Sequence, residues 1–418
     1  MGIPPKVNAG SGGNANGCRS PRRSTSPASV IHPPTVRISR KGAARIESGH
    51  PWVFASDVAD RGQAGPGEAV RVLDPAGRTL GTAHYSSSSQ ITLRMLSRRA
   101  EDIDQAFYRR RIEAAIERRR GLVADTNAYR VVHGEGDLLP ALVVDRYGEY
   151  LVMQTLDQGM DRAKAEIAAA LTEVLSPRGI IERNDAGVRQ RESLPAVSGL
   201  QAGEAPSLVE IHMNGFVFHA DLLRGQKTGV FLDQRENYLA AARYARGRAL
   251  DCFTCTGGFA LHLAAKCESV EAVDSSAPAL DLAQRNRAAN GIGNVEFREA
   301  NVFDFLNGLK ASGRRYSTIV LDPPAFAKSR ENLEGAARGY KEINLRALEL
   351  LEPGGRLVSC SCSHHVSEAM LLEAIAAASL DAGRVVRVLE RRTQALDHPI
   401  LLTVPETHYL KCLILEAS

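Results

Sequence analysis

The absences in this chain are the first guide to it. No apolar run approaches the ~18–20 residues that a membrane span needs, and none sits near the amino terminus, where Met1 to Pro34 is rich in Gly, Asn, Ser and Pro. That stretch has the composition of a disordered tail and lacks the apolar core of a signal peptide. The seven cysteines are odd in number and follow no framework spacing, which argues against a disulfide scaffold and for a reducing compartment, the cytoplasm. Cys252 and Cys255 form a C-x-x-C pair, but no second pair exists to complete a four-thiolate metal site with Cys360 and Cys362. A G-x-G-x-x-G turn is also missing, which counts against a dinucleotide-dependent reductase. Gly225-Gln226-Lys227-Thr228 lacks the leading glycine of a phosphate loop, which counts against nucleotide hydrolysis.

What is present is ordinary in bulk and uneven in detail. The 418 residues are 44% hydrophobic and 24% charged, enough for two to four globular domains. The net charge of +4 is concentrated in front: residues 35–130 hold 17 Lys and Arg against 11 Asp and Glu. A basic front on an acidic back points to a polyanionic partner. After the tail (1–34), residues 35–100 read as short strands with Gly/Pro turns, a small barrel, with Trp52 as a core plug. Residues 101–128 form a basic linker helix. Its arginines include Arg109, Arg110 and Arg119, and such a face would neutralise phosphates. Residues 129–205 read as a small α+β unit, closed by a polar break. From 206 to 418, after an Asn214-Gly215 hairpin, strands and helices alternate as in a doubly wound sheet.

The most informative stretch runs from Ala249 to Asp274. It reads strand, Gly257-Gly258 turn, helix, strand, acid, the layout of a mononucleotide-binding βαβ half. Asp251 ends its first strand, and Asp274, ending the second, is placed to accept ribose hydroxyls. Two further strand ends carry unusual residues: Asp322-Pro323-Pro324-Ala325-Phe326 and Ser359-Cys360-Ser361-Cys362-Ser363. In a doubly wound sheet such ends converge. The paired prolines stiffen their loop, forming a wall for a planar ligand with Phe326 stacked on it and Asp322 at its edge.

The Asp-Pro-Pro loop, the Gly-Gly turn and Asp274 resemble those of class I S-adenosylmethionine-dependent methyltransferases. With Gly225 to Arg235 (GQKTGVFLDQR), Thr256-Gly257-Gly258-Phe259 and the Ser-Cys-Ser-Cys-Ser run, the chain resembles the 23S rRNA cytosine-5 methyltransferases that carry an N-terminal PUA domain. The resemblance covers about residues 35–418. It implies an α/β chain with a PUA barrel, a small central α+β domain and a Rossmann-like catalytic sheet. It further implies S-adenosylmethionine as cofactor and large-subunit rRNA as partner. By position, Asp251, Thr256, Gly257, Gly258, Phe259, Asp274, Asn301, Asp322 and Gln226 would serve the cofactor. Pro323, Pro324, Phe326 and the linker arginines would serve the RNA. Asn301 stands where relatives often have an Asp that touches the adenine amino group.

The chemistry suits these residues. Cytosine C5 becomes nucleophilic only after a thiolate adds to C6, so the reaction needs one activated cysteine. In similar enzymes the nucleophile lies seven residues past a Gly-Gly; from Gly355 that is Cys362, with Cys360 as second candidate. Asp322 would hold the N3/N4 edge of the base. Pro324 stands where one branch of those enzymes has a second cysteine, so release of the thiol uses another base. Competing readings are methylation of a guanine or exocyclic nitrogen, which needs no thiol, and a non-catalytic RNA-binding assembly protein. Exposed apolar surface leaves room for a homodimer.

Overall fold

A computed structural model describes residues 1–2, 33–327 and 330–418. The expected disordered tail falls almost wholly outside the described residues.

The first unit is a six-stranded sheet of β1 (Thr35–Ile38), β2 (Trp52–Phe54), β3 (Val58–Asp60), β4 (Ala69–Leu73), β5 (Thr79–Tyr85) and β6 (Ile91–Ser97), in the order β2-β6-β5-β4-β1-β3, with helix α1 (Arg40–Glu47) after β1. Its two edges, β2 and β3, are consecutive in the chain and joined by three residues. A linker that short, spanning at most ~11 Å, obliges the sheet to curl until its edges approach. Val36, Ile38, Val70, Val72 and Leu93 fill the inside. Trp52 is not the expected core plug. It is half-buried and its indole Nε1 donates to Glu135 Oε1 at 2.8 Å, bridging to the next unit.

Helix α2 (Gln105–Arg119) is capped by Asp104, whose side chain accepts from Phe107 N. It buries Phe107, Tyr108, Ile112 and Ala115 against a five-stranded sheet. That sheet comprises β7 (Ala128–His133), β8 (Leu142–Tyr147), β9 (Tyr150–Thr155), β10 (Gly179–Asn184) and β11 (Val197–Gly203), in the order β11-β10-β9-β8-β7. Helices α3 (Gln158–Arg162) and α4 (Lys164–Leu175) make the β9–β10 crossover. The polar break expected to close the α+β unit is not a break in packing. Ala128, Tyr147 and Ile181 share one apolar cluster with Phe218, Leu261 and Ile414.

The hairpin β12 (Val209–Met213) and β13 (Phe216–Ala220) turns at Asn214 and Gly215, both at positive φ, as an Asn-Gly turn demands. A seven-stranded sheet follows. Its strands are β14 (Arg248–Cys252), β15 (Ser269–Asp274), β16 (Val295–Glu299), β17 (Tyr316–Leu321), β18 (Leu351–Ser361), β19 (Val386–Arg392) and β20 (Lys411–Ala417), in the order β16-β15-β14-β17-β18-β20-β19. Helices α5 (Arg235–Tyr244), α6 (Gly258–Ala264), α7 (Ala277–Ala289), α8 (Val302–Ser312), α9 (Leu333–Leu350) and α10 (Glu368–Asp381) alternate with them. All pairs are parallel except those of β20, which runs antiparallel between β18 and β19. The central strands are apolar on both faces, as buried parallel strands must be. The chain starts at β14, moves outward to β16, then returns to the other side at β17. The reversal opens a crevice at the carboxyl ends of β14 and β17.

Candidate active site

A cleft of about 450 Å³ occupies that crevice, within the usual size for a small-molecule site. The loop after β14 forms its floor. Phe253 and Cys255 are held at φ +66° and +50°, a conformation costly for residues with a side chain and tolerated where a loop must take a ligand. The loop is pinned by Asp274, whose Oδ2 accepts from Cys255 N and whose Oδ1 accepts from Ser276 N, both at 2.9 Å. Gly257, at φ +87°, starts α6. At Gly258 a Cβ would come within 2.4 Å of the Tyr238 ring, so only glycine lets Tyr238 close over the helix start.

Thr256, Gly258, Phe259, Asp274, Asn301 and Gln226 all line the cleft. Two expected cofactor residues do not. Gly257 shapes the turn without facing the cavity. Asp251 is fully buried beneath the loop, where its Oδ2 accepts from Thr254 Oγ1 at 2.6 Å. Burial pushes its carboxyl up to about 7. Asn301 caps α8, its Oδ1 accepting from Phe303 N and Asp304 N. Its oxygen is thereby committed, so the side chain turns a donor, not the expected acceptor, outward.

The opposite wall comes from β17 and β18. Asp322, Pro323, Pro324, Phe326 and Cys362 share it. Phe326 lies against Tyr340, ring centroids 4.8 Å apart, and Tyr340 OH donates to Ser361 Oγ at 2.8 Å. Ala327 N donates to Ser363 Oγ. The Asp-Pro-Pro loop and the cysteine loop are thus stitched together, with Cys362 Sγ 3.9 Å from Pro323 O. Burial and the Asp322 charge push the Cys362 thiol up to about 11, while Lys227 and Lys411 draw it back. Burial and Asp233 raise Asp322 to about 7, against the opposing pull of Lys227 and the Gln234 amide. Cys360 is not a candidate. It is fully buried in the core, opposite Cys412 in the β18–β20 register, and faces no cleft.

Several site residues carried no assigned role in the sequence. Lys227, Asp233 and Gln234 lie in the Gly225–Arg235 motif and line the cleft. Asp233 Oδ2 accepts from Lys227 Nζ and from Tyr409 OH. Lys411 is almost fully buried, and its Nζ donates to Ser363 O at 2.7 Å and Tyr409 O at 2.8 Å. Burial brings its ammonium down to about 8. A lone lysine opening the apolar run Cys412 to Leu415 was the available signal, since Lys is seldom buried without a reason.

The linker arginines are less free than their sequence suggests. Arg119 is buried, forked on Asp137 with contacts at 2.7 and 3.0 Å and donating to Asp397 O at 2.7 Å; it is an architectural residue and does not face RNA. Arg109 pairs with Glu173 at 2.8 Å and Arg110 with Glu101 at 2.9 Å, though both stay accessible. A separate groove of about 550 Å³ between the first sheet and α2 gathers Arg98, Arg99, Arg110 and Arg111, with Glu101 the one carboxylate on it.

Among known proteins, residues 36–98 match the PUA-like domain family and residues 186–401 the S-adenosylmethionine-dependent methyltransferase family. The chain is 41% identical to the ribosomal RNA large subunit methyltransferase I of Shewanella amazonensis, over 91% of this chain and 99% of that one. It is 40% identical to the protein of that name from Erwinia tasmaniensis, over 87% and 94%. In fold it is similar to a putative methyltransferase solved with SAH, at a TM-score of 0.80 and 20% identity, covering 92% of this chain and 100% of that one. A putative methyltransferase from Streptococcus mutans gives 0.79 at 20% identity with the same coverage. The Gly-Gly cradle, the Asp274 carboxylate and the apolar walls of Phe253 and Val302 fit S-adenosylmethionine, which is the cofactor. The chain belongs to the ribosomal RNA large subunit methyltransferase I family of S-adenosylmethionine-dependent methyltransferases.

Proposed function

We propose that the protein methylates C5 of a cytosine in 23S rRNA, with Cys362 as the nucleophile at C6. One observation carries this reading: the Cys362 thiol and the Asp322 carboxyl face a common cleft from adjacent strand ends, across from the Gly-Gly turn and Asp274. A methyl transfer to a guanine or exocyclic nitrogen would leave that thiol without a task.

Above about pH 7 the resting pair is a thiol and a carboxylate. Passing the proton from Cys362 to Asp322 makes, in one move, a thiolate and an acid. The thiolate forms the S–C6 bond as the Asp322 acid protonates N3. C5 is then an enamine carbon and takes the sulfonium methyl that the cofactor supplies. A base removes the C5 proton, the C5–C6 double bond re-forms, the thiolate leaves, and N3 returns its proton to the Asp322 carboxylate. Pro323 and Phe326 wall the flat base, and Lys411, bonded to the carbonyl of Ser363, holds positive charge beside the sulfur. The Arg98, Arg99, Arg110 and Arg111 groove supports phosphate contact at a distance from the chemistry.

The test is direct. 23S rRNA incubated with the enzyme and labelled S-adenosylmethionine, then digested to nucleosides, is expected to yield labelled 5-methylcytidine by mass spectrometry. A labelled guanosine or an N-methylated cytidine would overturn the reading. RNA bearing 5-fluorocytosine is expected to stall as a covalent adduct on a denaturing gel, and Cys362→Ala to abolish it.

A further inference from the structure

Gln234 ends the turn Leu232–Gln234 that leads into α5. Its side chain is 2% exposed and lines the cleft. The orientation of its amide is set from outside the cleft. Arg392 can only donate, and its Nε gives to Asn237 Oδ1 at 2.9 Å. Asn237 Nδ2 is therefore the donor end. It gives to Thr393 O at 3.1 Å and to Gln234 Oε1 at 2.7 Å. The Gln234 oxygen is thereby occupied, and Gln234 Nε2, which lies beside the Asp322 carboxyl and draws its pKa down, completes no hydrogen bond among the described residues. A buried amide donor short of a hydrogen bond, on a residue that lines the cleft, is suited to an acceptor that arrives with a ligand.

We propose that Gln234 is a catalytic residue that donates to O2 of the target pyrimidine. The inference rests on the cytosine-5 reading. Asp322 takes the N3/N4 side of the base, and Gln234 lies beside it. The next atom along that edge is O2, an acceptor, and an NH2 group can satisfy it while it could not satisfy the N4 amine. The contact strengthens as the reaction proceeds. When the S–C6 bond forms, the C5–C6 pair shifts to C4–C5 and the C4–N3 pair moves onto N3, so negative charge builds on N3 and O2 until the Asp322 proton reaches N3. A fixed donor at O2 then acts as an oxyanion hole does, preorganised where charge develops.

Three measurements test this. Gln234→Leu is expected to lower kcat on the RNA about 100-fold, the usual cost of removing one such donor, with affinity for S-adenosylhomocysteine by calorimetry unchanged. Asn237→Asp removes the only donor to Gln234 Oε1 among the described residues without altering the cleft lining. Its carboxylate would accept from both Arg392 and the Gln234 NH2, turning the amide so that its oxygen faces the base; kcat is expected to fall as far, with the melting temperature within a few degrees. On a transcript carrying 2-thiocytidine, a weaker acceptor at that position, the wild type is expected to slow at least tenfold and Gln234→Leu no further. Equal slowing of wild type and Gln234→Leu by the sulfur, or near-normal kcat in Asn237→Asp, would overturn the proposal. Should Gln234→Leu not fold, Asn237→Asp carries the test alone. The same digests report the product: a wild-type product other than 5-methylcytidine sinks the parent reading, whereas normal variants that still make 5-methylcytidine sink only the role of Gln234.

Discussion

Asp397 and Asp251 are both fully buried aspartates, and their surroundings push them in opposite directions. Asp397 sits where the central sheet meets the catalytic one. Arg235 forks onto it at 2.9 and 3.2 Å, His398 Nδ1 lies 3.1 Å away, and Arg130 N donates at 2.8 Å. Burial alone would raise its pKa, but His398 and Arg235 hold it well below the carboxylate range. Asp251, under the cofactor loop, receives one hydroxyl bond and keeps its Oδ1 unpartnered among the described residues. Asp322, on the cleft wall, is raised likewise, and Gln234 Nε2 next to it draws it down without completing a hydrogen bond among the described residues. Where polar groups are fully matched, the molecule is holding itself together. Where they are left short, it is prepared for something else to arrive.

The contrast is easiest to break at Asp397. Asp397→Ala leaves Arg235 buried with only the longer contact to Glu236 at 3.5 Å, at an expected cost of about 3 kcal/mol by chemical denaturation. The sign with pH follows from its depressed pKa: its stabilisation is present above the unfolded value near 4 and is lost as pH falls through the native one. Asp251 should behave oppositely. Its raised pKa means the unfolded chain ionises first, so stability declines as pH climbs from about 4 towards 7. Asp251→Asn is therefore expected to stabilise the protein at pH 8, by on the order of 3 kcal/mol, and to change nothing at pH 4. A loss at pH 8 would show that Asp251 is as structurally committed as Asp397.

Activity should follow the short-changed groups rather than the matched ones. With Asp322 near 7 and Cys362 near 11, the pair holds its single proton between those values. Below about 7 both are protonated, and no base remains to take the thiol proton. The expected kcat/KM, which reports the free enzyme, falls about tenfold per pH unit there and is flat above it. Asp322→Asn should remove the acid limb along with most of the rate. A limb that survives in Asp322→Asn belongs to another group.

Much of this was legible in the residues and part was not, for physical reasons. The alternation of strand and helix after Gln234 announces the sheet because buried parallel strands are continuous apolar runs. Asp274, Asp322 and Cys362 could be read because strand ends in such a sheet converge by topology alone. The donor that Asn301 presents and the burial of Asp251 were not legible, because a residue's place in a motif does not reveal which of its lone pairs its neighbours have already taken. Gln234 was invisible for the same reason inverted: its open donor results from Arg392 and Asn237, and Arg392 lies far away in the chain. Cys360 and Cys362 differ by two positions, which on one strand keeps the same face; only the end of β18 at Ser361 separates a core thiol from a cleft thiol.

The arginines repeat the contrast on a smaller scale. Counting charges made the α2 face a phosphate ladder, yet Arg119 is committed to Asp137 and Asp397, and Arg118 and Arg120 to Asp137 and Glu117. Arg99 is exposed on the neighbouring groove and forms no ion pair among the described residues. A guanidinium already neutralised by a carboxylate releases few counterions when RNA binds; a free one releases about one. Arg99→Gln is accordingly expected to weaken RNA binding modestly and to reduce the slope of log Kd against log salt by about one. Arg119→Met should leave that slope alone and lower the melting temperature instead. If Arg119→Met flattened the salt dependence and Arg99→Gln did not, pairing within the fold would be the wrong criterion for which charges meet the RNA.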